Sequence, residues 1–238
     1  MSTLTLIDCE KISQLVYKRN SEELEKFLTE IKAVWSLAVD LENNRYCMFR
    51  HENTTYMAVA GSDDLPDWVE NFIVIPAVNL YHGFTGYAYP ARDIIQSSGI
   101  TRILRTPVAG IKCAHIVLIG HSRGGAIVQN IFRQIRLEHR YTMNAWTFGN
   151  PGGGSKKFAE GTKNWPIVNF DIKGDVVTKL NFLKCDIGRT VDLPRQITGF
   201  FNRLKNAFKG KLNHRSYACI SKYKPWCNLD AKGNKIEV

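Results

Sequence analysis

The sequence lacks the features of a membrane-spanning, disulfide-rich or metal-binding protein. Its longest apolar runs, at 72–80 and 116–119, fall well short of the roughly 20 residues that a membrane-spanning helix needs. Its six cysteines are scattered and include no C-x-x-C pair, so we expect reduced thiols and neither a metal nor a cofactor. Only Cys219 and Cys227 are close in sequence, and a disulfide between them is a minor alternative.

A secretory signal is also missing from the first residues. MSTLTLIDCEKISQLVYKRN has no basic segment followed by an apolar stretch and a small-residue cleavage site. The expected location is therefore cytoplasmic, or peripheral to a membrane. A secreted protein numbered from its mature N-terminus would look the same, so secretion stays an alternative.

No internal repeat and no low-complexity linker divides the chain. It has 238 residues, of which 44% are hydrophobic, and is long enough to bury a sizeable core. We therefore expect a single domain over 1–238.

Helical and strand patterns follow one another along the chain. Residues 8–32 predict two helices, with a capping signal at Asn20 and Glu23 between them. The stretch WSLAVDLENNRYCMFRHENTTYMAVAGS predicts strands joined by polar turns, and a helix is expected after Pro90. AHIVLIG predicts a buried parallel strand, GGAIVQNIFRQIRLEH a helix, and NAWTFGNPG and WPIVNFDIKGD two further strands. This alternation predicts an α/β fold with a mostly parallel central sheet and helices on both faces.

The clearest chemical signal is the pentapeptide GHSRG at 120–124. G-x-S-x-G between a buried strand and a helix is the nucleophile elbow of α/β hydrolases. Gly120 and Gly124 leave room for a tight turn, on which the Ser122 hydroxyl stands clear of the sheet. The N-terminus of the following helix offers N–H groups and a positive dipole to a developing oxyanion. The pattern predicts Ser122 as a catalytic nucleophile, and a tight turn packed with small residues is the alternative.

A serine nucleophile needs a base, and the base needs an acid that holds its tautomer. In α/β hydrolases both follow the serine along the chain. Of the two later histidines, His139 ends the helix that starts at the elbow, roughly 25 Å from Ser122, which leaves His214. The intervening acids are Glu138, Glu160, Asp171, Asp175, Asp186 and Asp192. Asp171 and Asp175 follow the apolar strand PIVNF at the carboxyl edge of the sheet. Asp175 is preferred, with an ordinary Gly-Asp turn as the alternative.

A series of motifs, in order over 44–217, resembles the class 3, fungal-type triacylglycerol lipases. MAVAGSDDLPDWVENF is similar to the family's strand that ends in Arg-Gly-Ser/Thr and continues to Asp-Trp-x-x-Asn. YHGF is similar to its His-x-Gly-Phe element, and IVLIGHSRGG to its Gly-His-Ser-Leu-Gly-Gly elbow. WTFGNPGGG resembles its Thr-Phe-Gly-x-Pro strand. IVNFDIKGDVVTKL lies where the family has its acid segment, ending Asp-Pro-Val-Pro, and HRSY where it has His-x-x-Tyr.

The resemblance implies an α/β-hydrolase fold and an esterase that acts on lipids. It implies Ser122, Asp175 and His214 as the catalytic triad. It also implies an oxyanion hole formed by the backbone N–H and hydroxyl of Ser62, opposite the backbone N–H of Arg123.

The chain departs from the family pattern at three places. Ala60 stands where arginine is usual, and Arg123 where leucine is usual. Asp175 is followed by Val-Val-Thr in place of Pro-Val-Pro. Because Arg123 contributes to the oxyanion hole through its backbone, its side chain leaves that role intact, and its charge would favour polar or anionic substrates.

Two amphipathic segments point to contact with lipid. Residues 63–76 lie where the resemblance implies a mobile lid, and a fixed surface helix is the alternative.

The block 195–224 has eight Lys or Arg and no Asp or Glu, and so carries most of the net charge of +10. Within it, 197–212 places apolar residues on one side and cations on the other, as an interfacial helix on anionic lipid does. A core-packed helix with a basic outer face fits equally well. No nucleic-acid partner is expected, since no recognised binding motif accompanies the charge.

Three functions are compatible with these residues. The leading one is a serine hydrolase that cleaves carboxylic esters of lipids, a triacylglycerol lipase or carboxylesterase with a lipid or small ester as substrate. A phospholipase A1-type enzyme that docks on anionic membranes is the second. A lipase-like binding module without catalysis is the third, and the Ser–Asp–His set argues against it.

Overall fold

A computed structural model describes residues 4–17, 21–41, 44–61, 115–136, 142–154, 156–173, 175, 178 and 186–193. The predicted helix after Pro90, the lid candidate 63–76 and the basic block 195–224 lie outside these residues. Two predicted site residues, Ser62 and His214, also lie outside them.

Within the described residues, seven strands form one sheet in the order in which they occur along the chain. They are β1 (Trp35–Leu41), β2 (Asn44–His51), β3 (Thr54–Val59), β4 (His115–His121), β5 (Thr142–Phe148), β6 (Ile167–Ile172) and β7 (Arg189–Leu193). Strand β2 is antiparallel to both β1 and β3, and from β3 to β7 each strand is parallel to the next. The mostly parallel sheet expected from the sequence is therefore confirmed.

Strand β4 lies in the middle of the sheet and is buried on both sides. Val117 and Ile119 belong to the core on one face, whereas Ile116 and Leu118 belong to the core on the other. Successive side chains of a strand point to opposite faces, so a strand covered on both sides must be apolar throughout. This requirement explains the unbroken run IVLI.

Two N-terminal helices cover the first face. They are α1 (Leu6–Leu15) and α2 (Glu22–Glu30), and both bury apolar side chains against it. The hydroxyl of Ser21 accepts the N–H of Leu24 at 3.0 Å and so caps α2. The two predicted helices are confirmed, but the predicted cap at Asn20 was wrong by one residue.

The opposite face is covered by α3 (Arg123–Arg136) and the short α4 (Lys156–Gly161). In α3, Ile127, Ile131 and Ile135 recur every four residues and pack into this core. Helices therefore lie on both faces of the sheet, as predicted. No helix in the described part of the chain is long and apolar enough to cross a membrane.

Candidate active site

The backbone turns sharply between β4 and α3, at Ser122. This residue has φ of +56°, in the left-handed region that costs a non-glycine residue roughly 1–2 kcal/mol. Two backbone hydrogen bonds hold it there: Ser122 N–H donates to the Phe148 carbonyl, and Gly125 N–H donates to the Ser122 carbonyl, both at 2.9 Å. The strand, the strained turn and the helix are the arrangement that a nucleophile elbow requires.

Close backbone contacts explain the glycine at 124. A Cβ there would overlap the carbonyl of Val59 and would stand 2.8 Å from the carbonyl of Ala60. Neither backbone oxygen can move independently of β3. The elbow is thus packed directly against the end of β3.

The residue after the serine opens α3. The first N–H groups of a helix have no acceptor within it, so the amide of Arg123 belongs to the set that can bind an oxyanion. The side chain of Arg123 is buried, with an exposed fraction of 5%. Of the two residues predicted to form the oxyanion hole, Arg123 lies in the described structure and Ser62 does not.

The two acids weighed at the end of β6 lie in different environments. Asp171 is part of β6, so the expectation that it follows the strand was wrong. Its Oδ1 is buried and makes no hydrogen bond to any described residue. The pKa of Asp171 is raised to about 9. Burial is the largest cause, and the charges of Asp186, Asp175 and Asp192 add to it. A carboxyl that is neutral near pH 7 cannot stabilise an imidazolium ion.

Asp175 does follow the strand, as expected. Its side chain is fully buried, and its N–H donates to the Ile172 carbonyl at 2.8 Å. The hydroxyl of Thr178 donates to the Asp175 carbonyl at 3.1 Å. Because β4, β5 and β6 are parallel neighbours, Asp175 leaves the sheet at the same edge as Ser122. This geometry favours Asp175 over Asp171 as the acid.

A buried polar network near this edge was not predicted from the sequence. Its centre is Asn169 in β6, whose Oδ1 accepts from Gln129, Thr147 and Asn150 at 2.7, 2.6 and 3.4 Å. Asn150 also donates to Asp186 at 2.8 Å. The network ties α3, β5, β6 and the loop before β7 together. Its one sequence signal is an asparagine inside the otherwise apolar PIVNF.

Residues 56–184, more than half of the chain, match the family model described as lipase (class 3). The chain belongs to the class 3 lipase family. It is accordingly a hydrolase of carboxylic esters of lipids. No curated protein is similar enough in sequence to count as a match.

Solved lipase structures share the fold of this class 3 lipase. The mono- and diacylglycerol lipase of Aspergillus oryzae is 18% identical, with a TM-score of 0.59 over 83% of this chain and 84% of that one. The Lip2 lipase of Yarrowia lipolytica is 14% identical, with a TM-score of 0.57 over 80% and 81% of the chains. A triacylglycerol lipase whose catalytic centre is a serine protease triad is 16% identical, with a TM-score of 0.57 over 72% and 71%. The α/β-hydrolase fold expected from the sequence is confirmed.

The matched range includes part of the predicted site of this lipase. Ser122, Arg123 and Asp175 lie within 56–184, as does Ser62, while His214 lies beyond it. The structure brings Ser122 and Arg123 together at the elbow and places Asp175 at the same sheet edge. In the described residues, no group of three His, Cys, Asp or Glu is arranged to hold a metal ion.

Proposed function

We propose that this lipase cleaves acylglycerol esters through an acyl-enzyme, with Ser122 as nucleophile, His214 as base and Asp175 as the acid that orients it. The observation that carries the proposal is the left-handed backbone of Ser122 at the junction of β4 and α3. Lys32 and Glu52 have nearly the same φ, so the conformation alone does not mark a site. At Ser122 it occurs between a buried strand and a helix within G-x-S-x-G, which is the context of a nucleophile elbow. Family membership supplies the reaction class.

The reaction proceeds in two halves. Ser122 Oγ attacks the ester carbonyl carbon while His214 takes the hydroxyl proton, and the carbonyl oxygen becomes an oxyanion. Collapse of the tetrahedral intermediate breaks the bond to the alcohol, which takes its proton from His214. Water then attacks the acyl-enzyme by the same route, which releases the fatty acid and restores Ser122.

The oxyanion is stabilised by the N–H of Arg123 and by Ser62. Two features support this pair: Arg123 opens α3, and Gly61, which precedes Ser62, lies against the elbow. A Cβ on Gly61 would stand 2.8 Å from the Cβ of Ser122. Each such donor contributes about 3 kcal/mol in comparable enzymes.

A membrane surface is the second element of the proposal. The block 195–224, with eight basic residues and no acidic ones, would draw the enzyme to anionic lipid, and the apolar side of 197–212 would retain it. This charge distribution favours a peripheral location and makes phospholipid the alternative substrate.

Binding to anionic vesicles should weaken with added salt and after Arg203, Lys205 and Lys209 are replaced by glutamine. Binding unaffected by both would remove the membrane from the proposal.

Active-site labelling tests the nucleophile. A fluorophosphonate probe should modify the wild type at Ser122, as read by peptide mass spectrometry, and should leave Ser122→Ala unlabelled. Ser13→Ala, at a buried serine in α1, is the matched control and should label like the wild type. Labelling of Ser122→Ala would reject the assignment.

Substrate choice is tested with the same protein. Hydrolysis rates for p-nitrophenyl esters of rising chain length, for a triacylglycerol emulsion and for a phospholipid separate the alternatives. Acylglycerol turnover above phospholipid turnover is expected, and the opposite order would make this a phospholipase.

A further inference from the structure

One side chain of the N-terminal region reaches the elbow from the face opposite α3. Tyr17 follows the end of α1, and its Oη lies 2.7 Å from Nδ1 of His121, the residue before Ser122. The same oxygen lies 3.4 Å from the backbone carbonyl of His121. The two rings meet edge to face, with centroids 5.5 Å apart. His121 is 2% exposed and Tyr17 is half-buried, so the pairing is partly shielded from water.

Gly61, just after the end of β3, lies against the same tyrosine hydroxyl and the elbow. A Cβ on Gly61 would stand 2.5 Å from Tyr17 Oη, 2.8 Å from the His121 carbonyl and 2.8 Å from Ser122 Cβ. Gly61 therefore fills the space between the tyrosine hydroxyl and the serine. The tyrosine hydroxyl borders both segments from which the oxyanion donors are proposed to come, since Ser62 follows Gly61 and Arg123 follows Ser122.

We propose that Tyr17 is a positioning residue for the hydrolysis, acting through His121 on the Ser122 turn and on Gly61. The inference rests on the proposed role of Ser122 as nucleophile. The hydrogen bond fixes the imidazole ring, the ring fixes the last residue of β4, and that residue sets where the strained turn begins. In this role Tyr17 contacts neither the substrate nor the reacting atoms.

The catalytic demand on this junction is geometric. Oxyanion donors must stand at 2.7–3.1 Å from the developing charge, and a displacement of about 1 Å can lower a rate by roughly a hundredfold. The two proposed donors belong to different segments of the chain: Arg123 begins α3, and Ser62 follows Gly61. Their separation therefore depends on what holds the end of β3 against the elbow. The Tyr17 hydroxyl lies against both segments.

The first test removes only that hydroxyl. Tyr17→Phe should lower kcat for a soluble short-chain ester about tenfold, with KM changed less than twofold, because the ester still binds but meets a misplaced oxyanion hole. Tyr46→Phe is the matched control: it removes the hydroxyl of a tyrosine that is buried on β2, in the core on the other face. It should leave both constants near the wild-type values.

A double-mutant cycle tests the route through His121. Asparagine can place a polar atom near the position of Nδ1, whereas leucine cannot. His121→Asn should therefore retain more kcat than His121→Leu. Adding Tyr17→Phe to His121→Leu should cause little further loss, since the hydrogen bond is already gone.

Four outcomes are decisive. Wild-type kcat in Tyr17→Phe, or losses that multiply in the double variant, would overturn the inference. A parallel change in KM and kcat, matched by a loss of fluorophosphonate-reactive protein, would show a folding role instead and overturn it as well. A wild type that hydrolyses the ester without label at Ser122 would reject the proposed function itself, which is a separate result.

Discussion

The exits of β4 and β6 lie at one edge of the sheet, but they are organised in different ways. At the end of β4 the backbone is strained and side chains are excluded: Ser122 is left-handed, and the neighbouring glycines have no room for a Cβ. At the end of β6 carboxyl groups are crowded. Asp171 faces Asp175, Asp186 and Asp192, and its pKa is raised accordingly.

The difference separates two ways of preparing a catalytic group. A serine side chain is uncharged, so the backbone must position its hydroxyl. The cost is the free energy of a strained backbone conformation. An acid that orients a histidine must be ionised, so its environment must discriminate among nearby carboxyls. Substitutions at the first site should therefore act on geometry at every pH, and those at the second should act on charge.

The largest effect is expected from the acids after β6. Asp175→Asn should lower kcat by about 10⁴-fold, as neutralising a triad acid does elsewhere, because the histidine then adopts the wrong tautomer. Asp171→Asn makes the same chemical change four residues earlier and should keep most of the activity. Steady-state kinetics on a soluble ester measures both. The opposite ranking would show that Asp171 is the ionised partner.

Next in size is a glycine of the elbow. Gly124→Ala should lower kcat by roughly a hundredfold or more, because the added Cβ overlaps backbone carbonyls at the end of β3 and must displace the turn. Gly161→Ala in α4 is the control, since no atom lies within 4 Å of the new Cβ. Its activity should be unchanged. Equal activity in the two variants would mean that the elbow is not tightly packed.

The central elements were predictable because their sequence patterns are local. The run IVLI in β4 and the apolar repeat in α3 need only strand and helix periodicity, and GHSRG fixes the turn between them. The edge strand β7 was missed because it is short and only Val191 and Leu193 pack against the core, whereas Arg189, Thr190 and Asp192 are exposed. Asn20 was predicted as the cap of α2 in place of Ser21 because both residue types cap helices well.

The site was predictable only where its chemistry has a motif. Ser122 has one, and Asp175 was favoured by its position after a strand. Tyr17 was missed because its partner, His121, is 104 residues away and no local pattern connects them. The Asn169 network was missed for the same reason. Asp171 was placed after the strand because an acid is rare inside a buried strand. Only the fold shows which neighbours raise its pKa.

The pH dependence of stability sharpens the contrast at β6. Unfolded Asp171 ionises near pH 3.8, but in the folded protein it keeps its proton to about pH 9. The folded state therefore binds more protons in between, and the free energy of unfolding should fall as the pH rises across this window. The raised pKa values of Glu10 and Asp186, about 7 and about 6, confine their effects to lower pH.

Urea unfolding of the wild type and of Asp171→Asn between pH 7 and pH 9 isolates the contribution of Asp171, because the effect of the Cys47 thiol, whose pKa burial raises to about 12, is common to both proteins. A single such group gives a slope of about 1.4 kcal/mol per pH unit. Asp171→Asn should remove most of this slope and be more stable than the wild type at pH 8. Glu160→Gln, at an exposed acid of α4, should leave the slope as it is. A variant as steep as the wild type would assign the effect to another group.

The smallest effect tests whether the elbow stores strain. Both Ser122→Gly and Ser122→Ala remove the hydroxyl, so neither should be active, and only the backbone preference differs. At φ of +56° glycine should give the more stable protein by about 1 kcal/mol, because alanine pays the left-handed penalty. The order should reverse at Ser13, inside α1, where alanine is the better helix former by about the same amount. Urea unfolding of the four variants measures both pairs. If alanine gave the more stable protein at both positions, the turn at Ser122 would be unstrained in the free enzyme. The exit of β4 would then not differ from the exit of β6 by backbone strain.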